Sequence, residues 1–308
     1  MLLNCDKDIR RRMDNKSTIS SKIVQSPIIS CSRRTDIPAF LMNWVLDRIQ
    51  TGYVDVVNPF NRSQVSRISL TSKDVKCWVW WSKDFGKWID CFQEEPEVFK
   101  SYKGHYFQFT INSPSVLEQN IKISLEERFS QLEWLINEFG SSAISFRFDP
   151  IILYKKKDEK GIKSNLDKFE YIIENVSALG LKEMIFSFAT IYSKVNNRMI
   201  KRGYIPIDPH LSKKKEILKT LLDICEKHKI QMEACCQPDL IEITGIKQAH
   251  CIDANKIERL IGEKIQKVKD TGQRIGCGCS RSKDIGGYSG IFRCKHNCAY
   301  CYASPAKN

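Results

Sequence analysis

Three thiols near the end of the chain stand at CxxxCxxC spacing: Cys294, Cys298 and Cys301, within Cys294-Lys295-His296-Asn297-Cys298-Ala299-Tyr300-Cys301-Tyr302. A loop of this spacing can turn all three sulfurs onto one metal centre. Thiolates are soft donors and select zinc, copper(I) or iron–sulfur over hard cations. A complete [4Fe–4S] site takes four Cys ligands. Three local ligands therefore leave either a fourth elsewhere or one iron open to a small molecule. The competing reading is structural zinc, because closed zinc sites also use short Cys spacings. Those sites favour CxxC pairs over the triple found here. For His296, inside the loop, a surface or supporting role is expected rather than ligation.

A second set lies upstream. Cys277-Gly278-Cys279 follows Gly276, and the two glycines let the backbone wrap closely around a bound centre. Cys235-Cys236 ends an expected strand, and Cys251 comes shortly after. If these segments meet, Cys235, Cys251, Cys277 and Cys279 hold a second iron–sulfur centre or a structural zinc. Otherwise Cys277 or Cys279 supplies the fourth ligand of a single closed cluster. The choice between Cys235 and Cys236 stays open. Cys5, Cys77, Cys91 and Cys225 are scattered and read as buried small hydrophobes. The chain carries 13 Cys in 308 residues, too long and too intracellular in character for a disulfide scaffold.

The elements that must position these groups follow from hydrophobic patterning. Residues 1–27 are polar and basic, with Arg10-Arg11-Arg12, and read as a flexible tail. From 28 to 270, short apolar runs alternate with longer mixed segments, the pattern of βα units on a mostly parallel sheet. Strands are expected near Ile28–Cys31, Val54–Val57, Lys76–Trp80, His105–Thr110, Ala143–Phe148, Met184–Ala189 and Gln231–Cys235. Helices are expected over Phe40–Ile49, Leu125–Phe139 behind a Ser124-x-x-Glu127 capping box, Leu166–Leu179 ending at Gly180, Lys213–His228 and Lys256–Val268. The fold class is α/β, with a TIM-like (β/α)₈ barrel, complete, incomplete or permuted, as the expected architecture. No Gly-rich phosphate loop follows a strand, which disfavours an open dinucleotide-binding sheet. Residues 271–308 form a cysteine-rich segment packed on the barrel.

Polar residues gather where the strands end. Arg33 and Asp36 follow the first strand, Asn58 and Asn61 the second, and Lys83 and Asp84 the third; Arg147 and Asp149 close the fifth. Alone, each group reads as turn, cap or ion-pair chemistry. Together Arg33, Asp36, Lys83, Arg147 and Asp149 outline a cationic mouth with catalytic groups for a carboxylate or phosphate substrate. The net charge of +13 favours anionic partners, nucleotide and nucleic acid among them, although lysine-rich solvated faces explain it as well. No apolar run approaches the ~18 residues a membrane span requires, and the first residues lack the apolar core of a signal peptide. Leu2-Leu3-Asn4-Cys5 mimics a lipoprotein cleavage box without the apolar run before it. A cytoplasmic protein with no membrane partner is expected.

At Cys294, Cys298 and Cys301, with Tyr300 before the third Cys, the sequence resembles the signature of the radical S-adenosylmethionine (radical SAM) superfamily. The resemblance implies a [4Fe–4S] cluster on these three Cys, S-adenosylmethionine on the fourth iron, and reductive cleavage to a 5′-deoxyadenosyl radical. It also implies an electron donor such as ferredoxin or flavodoxin, and places Tyr300 beside the adenine. In most of that superfamily the loop follows the first barrel strand, whereas here only Tyr302 to Asn308 come after it.

Several segments together resemble a second grouping, the domain of unknown function 1848 family. They are residues 32–40 (SRRTDIPAF), 58–61 (NPFN), 146–151 (FRFDPI), 277–279 (CGC), 282–288 (SKDIGGY) and the terminal triple. This family's C-terminal cysteines are described as similar to the radical SAM cluster, and it brings no assigned reaction. The expected activity is radical SAM-like chemistry on an anionic substrate. The alternatives are a zinc- or iron–sulfur-containing nucleic-acid-binding protein and a redox protein without that chemistry.

Overall fold

A computed structural model describes residues 18–19, 22–59, 61–270, 272–274 and 276–303. In chain order the strands are β1 (Thr18–Ile19), β2 (Ile28–Cys31), β3 (Tyr53–Val57), β4 (Gln64–Ser69), β5 (Cys77–Ser82), β6 (Gly104–Thr110) and β7 (Ile144–Ile151). They continue as β8 (Leu153–Lys156), β9 (Lys163–Ser164), β10 (Glu183–Phe188), β11 (Tyr204–Ile207), β12 (Gln231–Ala234), β13 (Ile246–Gln248) and β14 (Lys283–Asp284).

The scaffold is one eight-stranded sheet in the order β13-β12-β10-β7-β6-β5-β2-β14. Every neighbouring pair in it is parallel. Parallel strands covered on both faces read as near-continuous apolar runs, as in the fully buried Ile28–Cys31. The pleat sends alternate residues to opposite faces. On one face Ile29, Trp78, Trp80, Phe107, Phe109, Phe146, Phe148, Phe186 and Met232 form the main core with the helices. On the other, Ile28, Cys77, Val79, Tyr106 and Ile185 form a smaller cluster with Cys251, Ile252, Cys277 and Cys279. Further along this second face the strands turn polar, with Gln108, Arg147, Ser187 and Cys235 near their C-terminal ends.

The sheet curls around that second face. Cys251, just beyond edge strand β13, receives a hydrogen bond on its carbonyl from Gln108 Nε2 of central strand β6 at 2.7 Å. The α/β class is therefore correct, but the closed barrel expected from the sequence is not shown. Outer strands β13 and β14 do not pair with each other. They are three and two residues long, too short for a continuous ladder, and the irregular chain between them makes the contacts instead. Ser280 N donates to Ile252 O at 2.8 Å, and Lys269 bridges Ser280.

Val54–Val57 is a strand, as expected, yet it lies outside the main sheet. It belongs to β3, which pairs antiparallel with β4 and so buries one face only. Thr18–Ile19, inside the segment expected as a tail, pairs with β4, and Val24 bridges Ile68. Helix Leu125–Phe139 starts on Ser124 with both bonds of the expected capping box. Helices Met42–Thr51, Phe169–Ala178 and Leu211–Lys227 occupy expected stretches, whereas the helix expected over Lys256–Val268 runs Ala254–Ile261 and stops at Gly262, whose φ of 70° turns the chain out of the helix. No helix among the described residues is long and apolar enough to cross a membrane.

Candidate thiolate site at the strand ends

All strands of the large sheet run the same way, so their C-terminal ends share one edge. Residues 32–36, 83, 112, 147–149 and 235–236 follow or close those ends. The cysteine-rich C-terminal segment returns to this edge and contributes β14, which pairs with β2 through Lys283–Ile29 and Asp284–Ser30. The Asp284 carboxylate accepts from Ser30 Oγ at 3.0 Å, Ser32 Oγ at 2.9 Å, Arg33 N at 2.8 Å and Gly286 N at 3.0 Å. One buried carboxylate thus fixes both the segment after β2 and the tight turn at Gly286.

The terminal triple is anchored beyond that turn. His296 Nε2 lies 2.8 Å from Asp36 Oδ2, while His296 Nδ1 is buried with no hydrogen-bond partner among the described residues. Asp36 also caps Ile37–Phe40 by accepting from Ala39 N, and it accepts from Ser82 Oγ at 2.7 Å and Lys83 N at 2.8 Å. Tyr300 is buried, and its hydroxyl donates to Glu118. Glu118 pairs with Lys83 Nζ at 2.9 Å and receives Asn112 Nδ2 at 3.2 Å. Burial disfavours charge on Glu118, but Lys83 and the bond from Tyr300 outweigh it and hold the carboxyl below its usual range. From the far side Arg198 donates to the carbonyls of Cys298, Cys301 and Ala303, and Arg202 to Asn297 O at 2.8 Å.

The three sulfurs of the triple lie within electrostatic reach of one another. The backbone of Asp36 and His296 acts to lower the Cys294 thiol, and that of Ala303 to lower Cys301. Burial pushes the Cys294 thiol up to about 11 and also raises Cys298 and Cys301. Lys83 acts on both Cys298 and Cys301, and Arg198 on Cys301.

The second set gathers around Arg147. Arg147 Nη1 donates to Cys251 Sγ at 3.0 Å and to Gln108 Oε1 at 3.1 Å. Its Nη2 pairs with Asp149 Oδ2 at 2.5 Å, and the guanidinium lies 5.2 Å from the Trp81 ring centre. Arg33 lies 5.7 Å from the centre of the Trp81 ring and pairs with Asp270 at 3.6 Å. Burial opposes charge on Arg33, yet Cys279, Asp284 and Cys251 raise it on balance. Cys235 Sγ sits 3.4 Å from Cys251 Sγ and 3.9 Å from Cys236 Sγ. Cys251 is held well below the ordinary thiol range by hydrogen bonds from Cys235 and Cys279, with Arg147 adding to the effect.

Arg33 joins the two sets. Its carbonyl accepts the Tyr302 hydroxyl at 2.9 Å, next to Cys301, while its side chain faces Cys279 and Cys251. All the residues expected to matter are therefore at one end of the sheet: Arg33, Asp36, Lys83, Arg147, Asp149, Tyr300 and both cysteine sets. They divide into two neighbourhoods, with Asp36 and Lys83 on the triple and Arg147 and Asp149 on the second set. Among the described residues, no three His, Cys, Asp or Glu side chains already converge as a formed ion site. What fits a soft metal at the triple is the donor set: one buried and two half-buried thiols with cations nearby.

A family model described as "Domain of unknown function (DUF1848)" matches residues 28–303. The chain belongs to this family. The matched region takes in every Cys of both sets, as well as Arg33, Asp36, Lys83, Arg147 and Asp149. A search of curated proteins finds no match.

Several residues of this family member's site were not singled out from the sequence. Glu118 sits in the short helical turn Val116–Glu118, Asn112 in a loop, and Gln108 and Trp81 on strands. Gln108 is the one with a signal: a polar residue inside the otherwise apolar strand Gly104–Thr110. Cys77, Cys91 and Cys225 are buried small residues, as expected, and Cys5 lies outside the described residues.

Proposed function

We propose that this chain is an iron–sulfur enzyme of the radical SAM type, acting on an anionic substrate. The observation that carries the reading is the seating of the CxxxCxxC loop. Its three thiols lie at the C-terminal edge of a parallel sheet, the edge where α/β enzymes place their ligands. There His296, inside the loop, meets Asp36 at 2.8 Å.

Cys294, Cys298 and Cys301 would hold a [4Fe–4S] cluster, and S-adenosylmethionine would take the fourth iron. Such a cluster supplies the electron for reductive cleavage of that cofactor. The chain's own residues do the positioning. Asp36 orients His296 and, through Lys83 N and Ser82, fixes the floor under the loop. Tyr300, Glu118 and Lys83 lock the third turn of the loop from below. Arg198 and Arg202 clamp its carbonyls, which screens the site from water on that side. Arg33 lies between the loop and Trp81 and is the group best placed to meet an anionic substrate. Ferredoxin or flavodoxin would deliver the electron.

The test is anaerobic reconstitution with iron and sulfide, then reduction in the presence of S-adenosylmethionine. Formation of 5′-deoxyadenosine well above the level of a Cys298→Ala control supports the reading, and equal levels reject it. The net charge of +13 favours a second reading, a zinc- or iron–sulfur-containing nucleic-acid-binding or redox protein. That reading requires nucleic-acid affinity that falls steeply with salt, or a redox-active centre indifferent to S-adenosylmethionine.

A further inference from the structure

Five unpaired cysteines outside the terminal triple gather on the second face of the sheet. Cys235 meets Cys251 at 3.4 Å and Cys236 at 3.9 Å. Cys277 and Cys279 pack in the same buried cluster as Cys251, and Cys235 and Cys236 lie against it. The five come from three separate segments, the end of β12, the loop after β13 and the stretch before β14. Bringing them together requires specific backbone features. Cys236 is one of few non-glycine residues with positive φ, at 54°, which turns it back beside Cys235. Gly276 has φ 84°, and a Cβ on Gly278 would meet the His250 ring at 2.6 Å. Ile252 N also donates to Cys279 Sγ at 3.4 Å.

Apolar packing alone gives no reason for this arrangement. A valine or alanine fills such space without a reactive sulfur, and isolated buried Cys such as Cys77 and Cys225 do that elsewhere in this chain. Nor does it look like a disulfide, since five thiols share contacts and none is bonded to another. The spacing has a different match. Four sulfurs at about 2.3 Å from a tetrahedral metal are about 3.8 Å apart, and the one separation between two of the proposed ligands, Cys235–Cys251 at 3.4 Å, is close to that edge. Two cations stand at the cluster: Arg147 donates to Cys251, and Arg33 faces Cys279. They offset the negative charge that four thiolates bring to a buried site. The sulfurs gather without yet forming a tetrahedron. Side-chain rotation would have to bring four of them together, as is usual where metal binding completes folding.

We propose that Cys251, Cys277 and Cys279, with one thiol of the Cys235–Cys236 pair, form a second soft-metal centre, iron–sulfur or zinc, independent of the terminal triple. Five thiols serve four places, so one of Cys235 and Cys236 is dispensable. The Cys235–Cys251 contact makes Cys235 the ligand and Cys236 the spare. The site lies on the inner face of the sheet beside Trp81, across Arg33 from the terminal loop.

The test uses the full chain with Cys294→Ala, Cys298→Ala and Cys301→Ala combined, purified anaerobically and assayed for iron, sulfide and zinc. The proposal expects about one centre per chain to remain, and adding Cys251→Ser to remove at least nine-tenths of it. Iron with sulfide identifies a cluster, and zinc alone a structural ion. A folded triple variant without metal overturns the proposal, as does metal that persists after Cys251→Ser. Should the triple variant not fold, the wild-type frame gives the answer: Cys251→Ser must lower total metal while 5′-deoxyadenosine or the triple's spectrum is retained, and unchanged metal overturns the proposal. Loss of metal in Cys298→Ala but not in Cys251→Ser would leave the radical SAM reading standing and this one rejected.

Discussion

His296 and Asp36 are 260 residues apart in sequence, and their side chains meet at 2.8 Å. This bond joins the inside of the CxxxCxxC loop to the segment that leaves β2, so the two are built as one unit. Asp36 accepts three further hydrogen bonds there, from Ala39 N, Ser82 Oγ and Lys83 N.

Removing that hub should be costly. Bonds to a charged acceptor contribute about 1.5–3 kcal/mol each and are not additive, and a lost helix cap costs about 1. Asp36→Ala is expected to lower the unfolding free energy by about 3 kcal/mol in urea denaturation. It should also speed amide exchange in the segment from Cys294 to Cys301, because His296 loses its partner.

Lys83 and Glu118 form a buried ion pair at 2.9 Å, with side chains 15% and 4% exposed. Glu118→Gln would leave the Lys83 ammonium buried without its counter-charge, which costs about 3–5 kcal/mol. Replacing both, as in Lys83→Met with Glu118→Gln, should recover much of that loss. A double-mutant cycle by chemical denaturation measures the recovery, and strictly additive losses would contradict the pairing.

His105 provides a pH dependence. Trp80 Nε1 donates to its Nδ1 at 3.0 Å, and its Nε2 donates to Phe99 O at 3.0 Å, so the folded ring is neutral. Burial depresses its pKa to about 4. In the unfolded chain the ring titrates near 6.5, so between about 6.5 and 4 the unfolded state binds a proton that the folded state refuses. Stability from this group is complete above about pH 6.5 and is lost as pH falls through about 4, amounting to about 3 kcal/mol. Urea unfolding from pH 7.5 to 4.5 should show this decline, and His105→Gln should flatten it while lowering stability at pH 7.5.

Gly286 sits where a Cβ would collide with the Ser32 side chain. Gly286→Ala should push Ser32 off Asp284 and loosen the pairing of β14 with β2. A loss of about 1–3 kcal/mol is expected from overpacking at such a site, with faster exchange at Lys283 and Asp284.

How much of this was legible in the sequence follows the range of the interactions. Short, mostly apolar strands such as Ile28–Cys31 and Gly104–Thr110 announce themselves, and so does the helix capped by Ser124. The polar residues at the strand ends put Arg33, Asp36, Lys83, Arg147 and Asp149 on one edge from the sequence alone. The two-residue β14 could not be read, because nothing local in Lys283–Asp284 marks it as a strand. It exists through Asp284 and its partners some 250 residues upstream. The Val54–Val57 strand misled for a related reason: periodicity shows a strand but not which sheet it joins. Glu118 was invisible because its role depends on Tyr300, 182 residues away. The second cysteine set is legible as motifs, but the contact between Cys235 and Cys251 arises because they follow neighbouring strands β12 and β13.

The most direct measurement is electron paramagnetic resonance of the anaerobically reconstituted, dithionite-reduced protein, with and without S-adenosylmethionine. To keep any signal from the second cysteine set out, it is best made in a Cys251→Ser background. The account predicts a [4Fe–4S]⁺ signal that changes when S-adenosylmethionine is added and disappears in Cys298→Ala. A protein that carries zinc and no iron at Cys294, Cys298 and Cys301, or a cluster signal untouched by S-adenosylmethionine, would contradict it.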